Sequence, residues 1–93
     1  MKKYIIERKV PGIGNKKDDD YPELCRQSQG VLDGLGNGIQ WQESYVIGDG
    51  TFCVYLAENE DLIRKHAEKS GFPADRIMEV KRTIDPTTAA PKS

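Results

Sequence analysis

Ile39-Gln-Trp-Gln-Glu-Ser-Tyr-Val-Ile47, then Gly48-Asp49-Gly50, then Thr51-Phe-Cys-Val-Tyr-Leu-Ala57 is the stretch that decides the fold. Both flanking runs are rich in Trp, Tyr, Val and Phe, which suit a pleated, half-buried surface. A Gly-Asp-Gly turn between two such runs predicts a β-hairpin. Its register is open at this level. A two-residue Asp49-Gly50 turn puts Trp41, Glu43 and Tyr45 on the face of Phe52, Val54 and Leu56; a three-residue loop puts them with Cys53 and Tyr55. One residue of slip exchanges the faces. The three-residue alternative keeps Glu43 out of a helix-covered core, and the reading leans that way.

Working outward, Leu24, Ser28, Val31, Leu32 and Leu35 recur at helical spacing. Asp19 or Asp20 is the expected N-cap, Pro22 suits the first turn, and Gly36-Asn37-Gly38 ends the helix. Gly30 and Gly34 weaken it unless close packing requires them. On the other side of the hairpin, Asn59 caps a second helix to Ser70 with a buried stripe of Leu62, Ile63, His66 and Ala67, stopped by Gly71 and Pro73. Residues 3–10 open the chain as a strand halted by Pro11, and Ile77 to Ile84 form the last strand. The order β-α-β-β-α-β is the split arrangement of ferredoxin-like α+β domains: a four-stranded antiparallel sheet with two helices on one face. Residues 1–86 make that single domain, and 87–93 a frayed C-terminal tail. Both parities of the strands carry apolar or aromatic side chains, while the helices cover one face. The exposed face therefore predicts a homodimer.

The bulk numbers agree with one thin-cored unit. A chain of 93 residues with 37% apolar and 31% charged residues buries only roughly 60–65% of its unfolded surface. Its net charge of −1, from 14 basic and 15 acidic residues, provides no basic stripe for a nucleic-acid backbone. Asp18-Asp19-Asp20 reads as a solvated loop, since no EF-hand spacing follows it. No apolar run approaches the ~20 residues that span a bilayer. Met-Lys-Lys-Tyr-Ile-Ile meets charge after two apolar residues, so no signal peptide is expected. Two cysteines without a CxxC or a Cys/His cluster suit a cytoplasmic protein with reduced thiols.

Trp41-x-x-Ser44-Tyr45-Val46, Asp49-x-Thr51-x-Cys53-x-Tyr55, Ile63-Arg64-x-His66-Ala67, Gly71-x-Pro73, Glu79-Val80 and Ile84-Asp85-Pro86 together resemble a family of small bacterial proteins long filed as a domain of unknown function. The resemblance spans residues 39–88 and reaches the first strand at Tyr4-Ile5-Ile6-Glu7-Arg8; the loop at residues 12–20 departs from it. It implies a ferredoxin-like fold of the dimeric α/β-barrel kind, and nickel binding has been attributed to that family.

Four residues are candidates for nickel or another divalent transition metal: His66, the sole histidine, Cys53, Glu43 and Glu79. A mixed N/S/O set suits such metals. Each has a plainer role, as a hydrogen-bonded half-buried imidazole, a small buried thiol, and carboxylates paired with Arg8, Lys81 or Arg82. One histidine per chain confines a nitrogen-rich site to a seam between two copies. Trp41, Tyr45 and Tyr55 are candidates for a ligand pocket, and Cys25 reads as structural. A metal- or ligand-binding dimer is the preferred function. A small barrel-type, monooxygenase-like enzyme with a pocket on the sheet face, and a structural or regulatory dimer without a ligand, are the alternatives.

Overall fold

Alternation along the first strand, β1 (Lys2–Lys9), separates two faces. Tyr4, Ile6 and Arg8 are buried, whereas Ile5 and Glu7 are only half-covered. The computed structural model describes residues 1–89, so Ala90 to Ser93 and that part of the expected tail lie outside the described residues. After β1 come α1 (Tyr21–Leu35), β2 (Ile39–Ile47), β3 (Gly50–Ala57), α2 (Glu60–Ser70) and β4 (Arg76–Glu79). The sheet runs β2-β3-β1-β4 with every pairing antiparallel. This is the ferredoxin-like α+β arrangement that the order of elements predicts.

The caps follow the sequence closely. Asn59 Oδ1 accepts the Leu62 N–H at 3.1 Å, and the Gly71 N–H closes α2 on the Ala67 carbonyl at 3.0 Å. Asp20 stands at the N-cap of α1 without a side-chain cap bond; its carboxylate instead accepts the Lys17 N–H at 3.2 Å. The last strand is shorter than the expected Ile77 to Ile84. Val80 still donates to the Lys3 carbonyl at 2.8 Å, but β1 begins at Lys2 and offers the chain beyond almost nothing to pair with.

The hairpin adopts neither expected register along its whole length. Ile47 pairs with Gly50, leaving a two-residue Gly48-Asp49 loop, and Gln42 is an extra residue bulged between Trp41 and Glu43. A bulge inserts one residue into one strand and so exchanges the faces beyond it. Trp41 therefore sits opposite Tyr55 and Ser44 opposite Cys53, while Glu43 and Tyr45 face outward with Val54 and Phe52. The backbone approaches closely at the hairpin base: a Cβ on Gly50 would lie 2.4 Å from the Arg8 carbonyl oxygen.

The segment after β1 docks on the hairpin tip. Val10 N–H donates to the Asp49 carbonyl at 2.9 Å and Gly14 N–H to that of Gly48 at 3.0 Å; Gly12 N–H donates to Asp49 Oδ1 at 3.0 Å. That docking buries Ile13, whose carbonyl accepts the Tyr21 hydroxyl at 2.7 Å.

Both helices lie on the face of Tyr4, Ile6, Cys53, Tyr55 and Ala57, where Leu32, Ile39 and Ile63 complete the core. The opposite face carries Ile5, Phe52, Val54, Leu56 and Met78, none fully buried. Beside them Tyr45 is 56% exposed and Ile47 50%. Among the described residues no helix is long and apolar enough to cross a membrane.

Candidate ligand cavity

Arg8 is where the pattern of the inner face breaks. It follows Tyr4 and Ile6 at the strand spacing and is only 4% exposed. Its Nη1 donates to the Pro73 carbonyl at 2.5 Å and approaches that of Phe72 at 3.4 Å. The guanidinium carbon lies 6.0 Å from the centroid of the Tyr55 ring. Nη2 is buried without a hydrogen-bond partner, and among the described residues no carboxylate pairs with the group.

Arg8 lines a cavity of about 140 Å³ between α1, the docked segment and the inner face of the hairpin. Val10, Ile13, Leu24, Trp41, Val46 and Phe72 make its apolar wall. Its polar lining is paired internally: the Trp41 indole N–H donates to Ser44 Oγ at 2.9 Å, and Thr51 Oγ1 lies 3.3 Å from Cys53 Sγ. Lys16 and Cys25, both exposed, mark the side open to solvent. No Asp or Glu belongs to the lining.

Behind this lining sits His66, with no exposed surface. Its Nε2 is met by Tyr55 Oη at 3.0 Å and Ser28 Oγ at 3.2 Å. Burial, aided by the positive charge of Arg8, lowers its pKa from 6.5 to about 4, so the ring is neutral near pH 7. Nδ1 is buried without a partner. Burial also raises the Tyr55 phenol above its ordinary value, and the Arg8 charge opposes that rise. The arrangement holds a neutral imidazole against a protonated phenol and fixes the Tyr55 ring as part of the cavity wall.

The structure thus gathers four of the sequence candidates and separates three. Cys53, Tyr55 and Trp41 line the cavity, with His66 directly behind. Glu43 lies on the outer face, accepting the Tyr45 hydroxyl at 2.9 Å, which pushes the exposed Tyr45 phenol upward. Glu79 sits on the edge strand, where a hydrogen bond and charge from Lys81, with help from Lys2, hold its carboxyl below the usual range. Cys25, read as structural, is an exposed thiol on the cavity rim.

Arg8, Ser28 and Cys25 escaped the sequence reading as site residues. The signal was present for two of them, as a charge at an inward strand parity and a hydroxyl on an apolar helix stripe. Nickel would need a convergent set of donors. Among the described residues no group of three or more His, Cys, Asp or Glu is placed to hold a metal ion. His66 Nε2 is engaged by two hydroxyls and its Nδ1, though unpartnered, belongs to no such group, so the donors of a single chain do not fit a nickel centre.

These features define a small ferredoxin-like α+β protein with an apolar cavity beneath its sheet, open to solvent on one side. The profile of the nickel-responsive SCO4226-like proteins matches residues 4–80, and the chain belongs to that family. Among solved structures it is similar to the crystal structure of SCO4226 from Streptomyces coelicolor A3(2), with a TM-score of 0.73 and 14% identity over 88% of this chain and 99% of that one. At that identity the likeness establishes the fold. No curated protein matches the chain.

Proposed function

We propose that this protein binds a small molecule in the cavity beneath its sheet and works as a pair of identical chains. The observation that carries the first half is the cavity itself: an apolar wall with an unpaired buried guanidinium, set on a rigid sheet and helix scaffold. Binding sites are concave and mostly apolar with a few convergent polar groups. The family description, nickel responsive, supports a second reading in which a metal binds between copies, since two chains double the donors that one chain keeps apart.

Two measurements separate these readings. Small aromatic probes added to the purified protein should shift the amide resonances of Val10, Leu24 and Val46 and slow the reaction of the Cys25 thiol with a disulfide reagent. Unchanged resonances and unchanged thiol kinetics end the cavity reading. Calorimetric titration with nickel tests the metal reading: saturable heat that weakens in Glu43→Gln or Glu79→Gln supports it, and no saturable heat in the dimer removes it.

A further inference from the structure

We infer that the cavity accepts an organic monocarboxylate with a single ring-sized apolar body, its charge neutralised by the guanidinium of Arg8. This rests on the cavity being a binding site, and it adds the chemical class of the occupant. Three observations lead to it.

The first is an uncompensated charge. A buried ion without a partner is costly, and buried charges in proteins are otherwise paired and hydrogen-bonded. Of the three guanidinium nitrogens of Arg8, Nη1 is occupied by backbone carbonyls and Nη2 is buried with nothing to donate to, so an anion reaches Nη2 only with a small shift of the wall that covers it. Carbonyl dipoles relieve part of the cost; they leave the net charge in place.

The second observation is the sign of the surroundings. The lining contributes Arg8 and Lys16 and no acidic residue. The hydroxyls of Tyr55, Ser28 and Thr51 are engaged with His66 and Cys53, so Arg8 is the group in the lining left to meet a charge. A cation is disfavoured, and so is a zwitterion whose ammonium group would find no carboxylate.

The third is the wall. Apart from these groups the space is apolar, which disfavours a strongly hydrated inorganic anion such as phosphate, whose oxygens call for many donors. A volume of about 140 Å³ is close to that of a cavity of about 150 Å³ that takes one benzene ring. A ring or a short branched chain bearing one carboxylate satisfies both the charge and the wall.

The test compares benzoate with benzyl alcohol, a neutral molecule of similar size, on the full-length protein, with amide resonances and Cys25 thiol reactivity as readouts. Benzoate should bind at least about tenfold more tightly in the wild type, as a charge-assisted hydrogen bond warrants. Arg8→Met, which keeps the length of the side chain, should abolish that preference while leaving benzyl alcohol unaffected. Equal affinities in the wild type, or a preference that survives in Arg8→Met, overturn the carboxylate assignment and leave the cavity reading intact. If neither probe moves the cavity resonances nor protects Cys25, both fall. The wild-type comparison decides the matter even if Arg8→Met does not fold.

Discussion

At the scale of the residue, His66 shows how one contact set governs both a charge state and a stability. Carried on the buried side of α2 and held by Tyr55 and Ser28, its ring has a folded pKa of about 4 against 6.5 in the free side chain. Between those values the unfolded chain binds a proton that the folded one refuses, so stability rises with pH in this window. The contribution is complete above about pH 6.5 and is lost as pH falls through about 4, on the order of 3 kcal/mol in total. Urea unfolding of the wild type and His66→Gln at several pH values between 7.5 and 4 checks this. The wild type should lose stability faster on acidification by up to one proton's worth of slope, and parallel curves for the two proteins contradict it. Arg8 is the other decisive residue. Its alternation with Tyr4 and Ile6 was legible in the sequence, but neither which face that parity takes nor whether a carboxylate awaited it was, because both depend on other elements.

At the scale of the element, α1 and the hairpin make opposite use of glycine. Gly30 and Gly34 have nothing within 4 Å of the position a Cβ would take, so no close packing requires them. Gly30→Ala and Gly34→Ala should each stabilise the protein by roughly 1 kcal/mol, raising the melting temperature by about 4–8 °C for each 1 kcal/mol in a domain of this size. Circular dichroism melts read this directly; an unchanged or lowered midpoint would show that backbone freedom in α1 serves something else. Gly50→Ala should act in the other direction. Its Cβ would meet the Arg8 carbonyl oxygen at 2.4 Å, and relief requires movement of two paired strands, a loss of about 1–3 kcal/mol by the usual cost of overpacking. Urea titration should show a lower midpoint for this variant alone among the three. The hairpin also shows where local reading stops. Turn and strands were evident from composition, whereas the Gln42 bulge carries no local signal; it reconciles an inward Trp41 and Ser44 with an outward Glu43 and Tyr45.

At the scale of the whole molecule, the two faces of the sheet differ in what they lack. The inner face is covered by α1 and α2. The outer face presents Ile5, Phe52, Val54, Leu56 and Met78, only half-covered, beside an exposed Tyr45. An apolar face of this kind draws a partner, and a second copy is the reading developed above. Sedimentation equilibrium should give a dimer at micromolar concentration for the wild type and a monomer with native circular dichroism for Val54→Lys, which places a charge at the centre of the face. A wild type that sediments as a monomer at high concentration ends the pairing reading. Family membership and the nickel-responsive description make the same samples the right ones for metal titration, since a site between copies requires the dimer.

What the sequence by itself determined is what neighbours along the chain can settle. The hairpin, the Asn59 and Gly71 caps, the helical stripes around Ser28 and His66 and the β-α-β-β-α-β order all follow from local composition and period. Tertiary structure alone decided the rest, because it depends on groups far apart in sequence. The pairing of Ile6 with Cys53 and of Tyr4 with Glu79 fixes which strands are neighbours. The docking of residues 10–14 on the hairpin tip closes one wall of the cavity. Tyr55, Ser28 and His66, from three elements, meet at one nitrogen. Arg8 is left buried with one nitrogen unmatched, and among the described residues no carboxylate comes within ion-pairing distance of it.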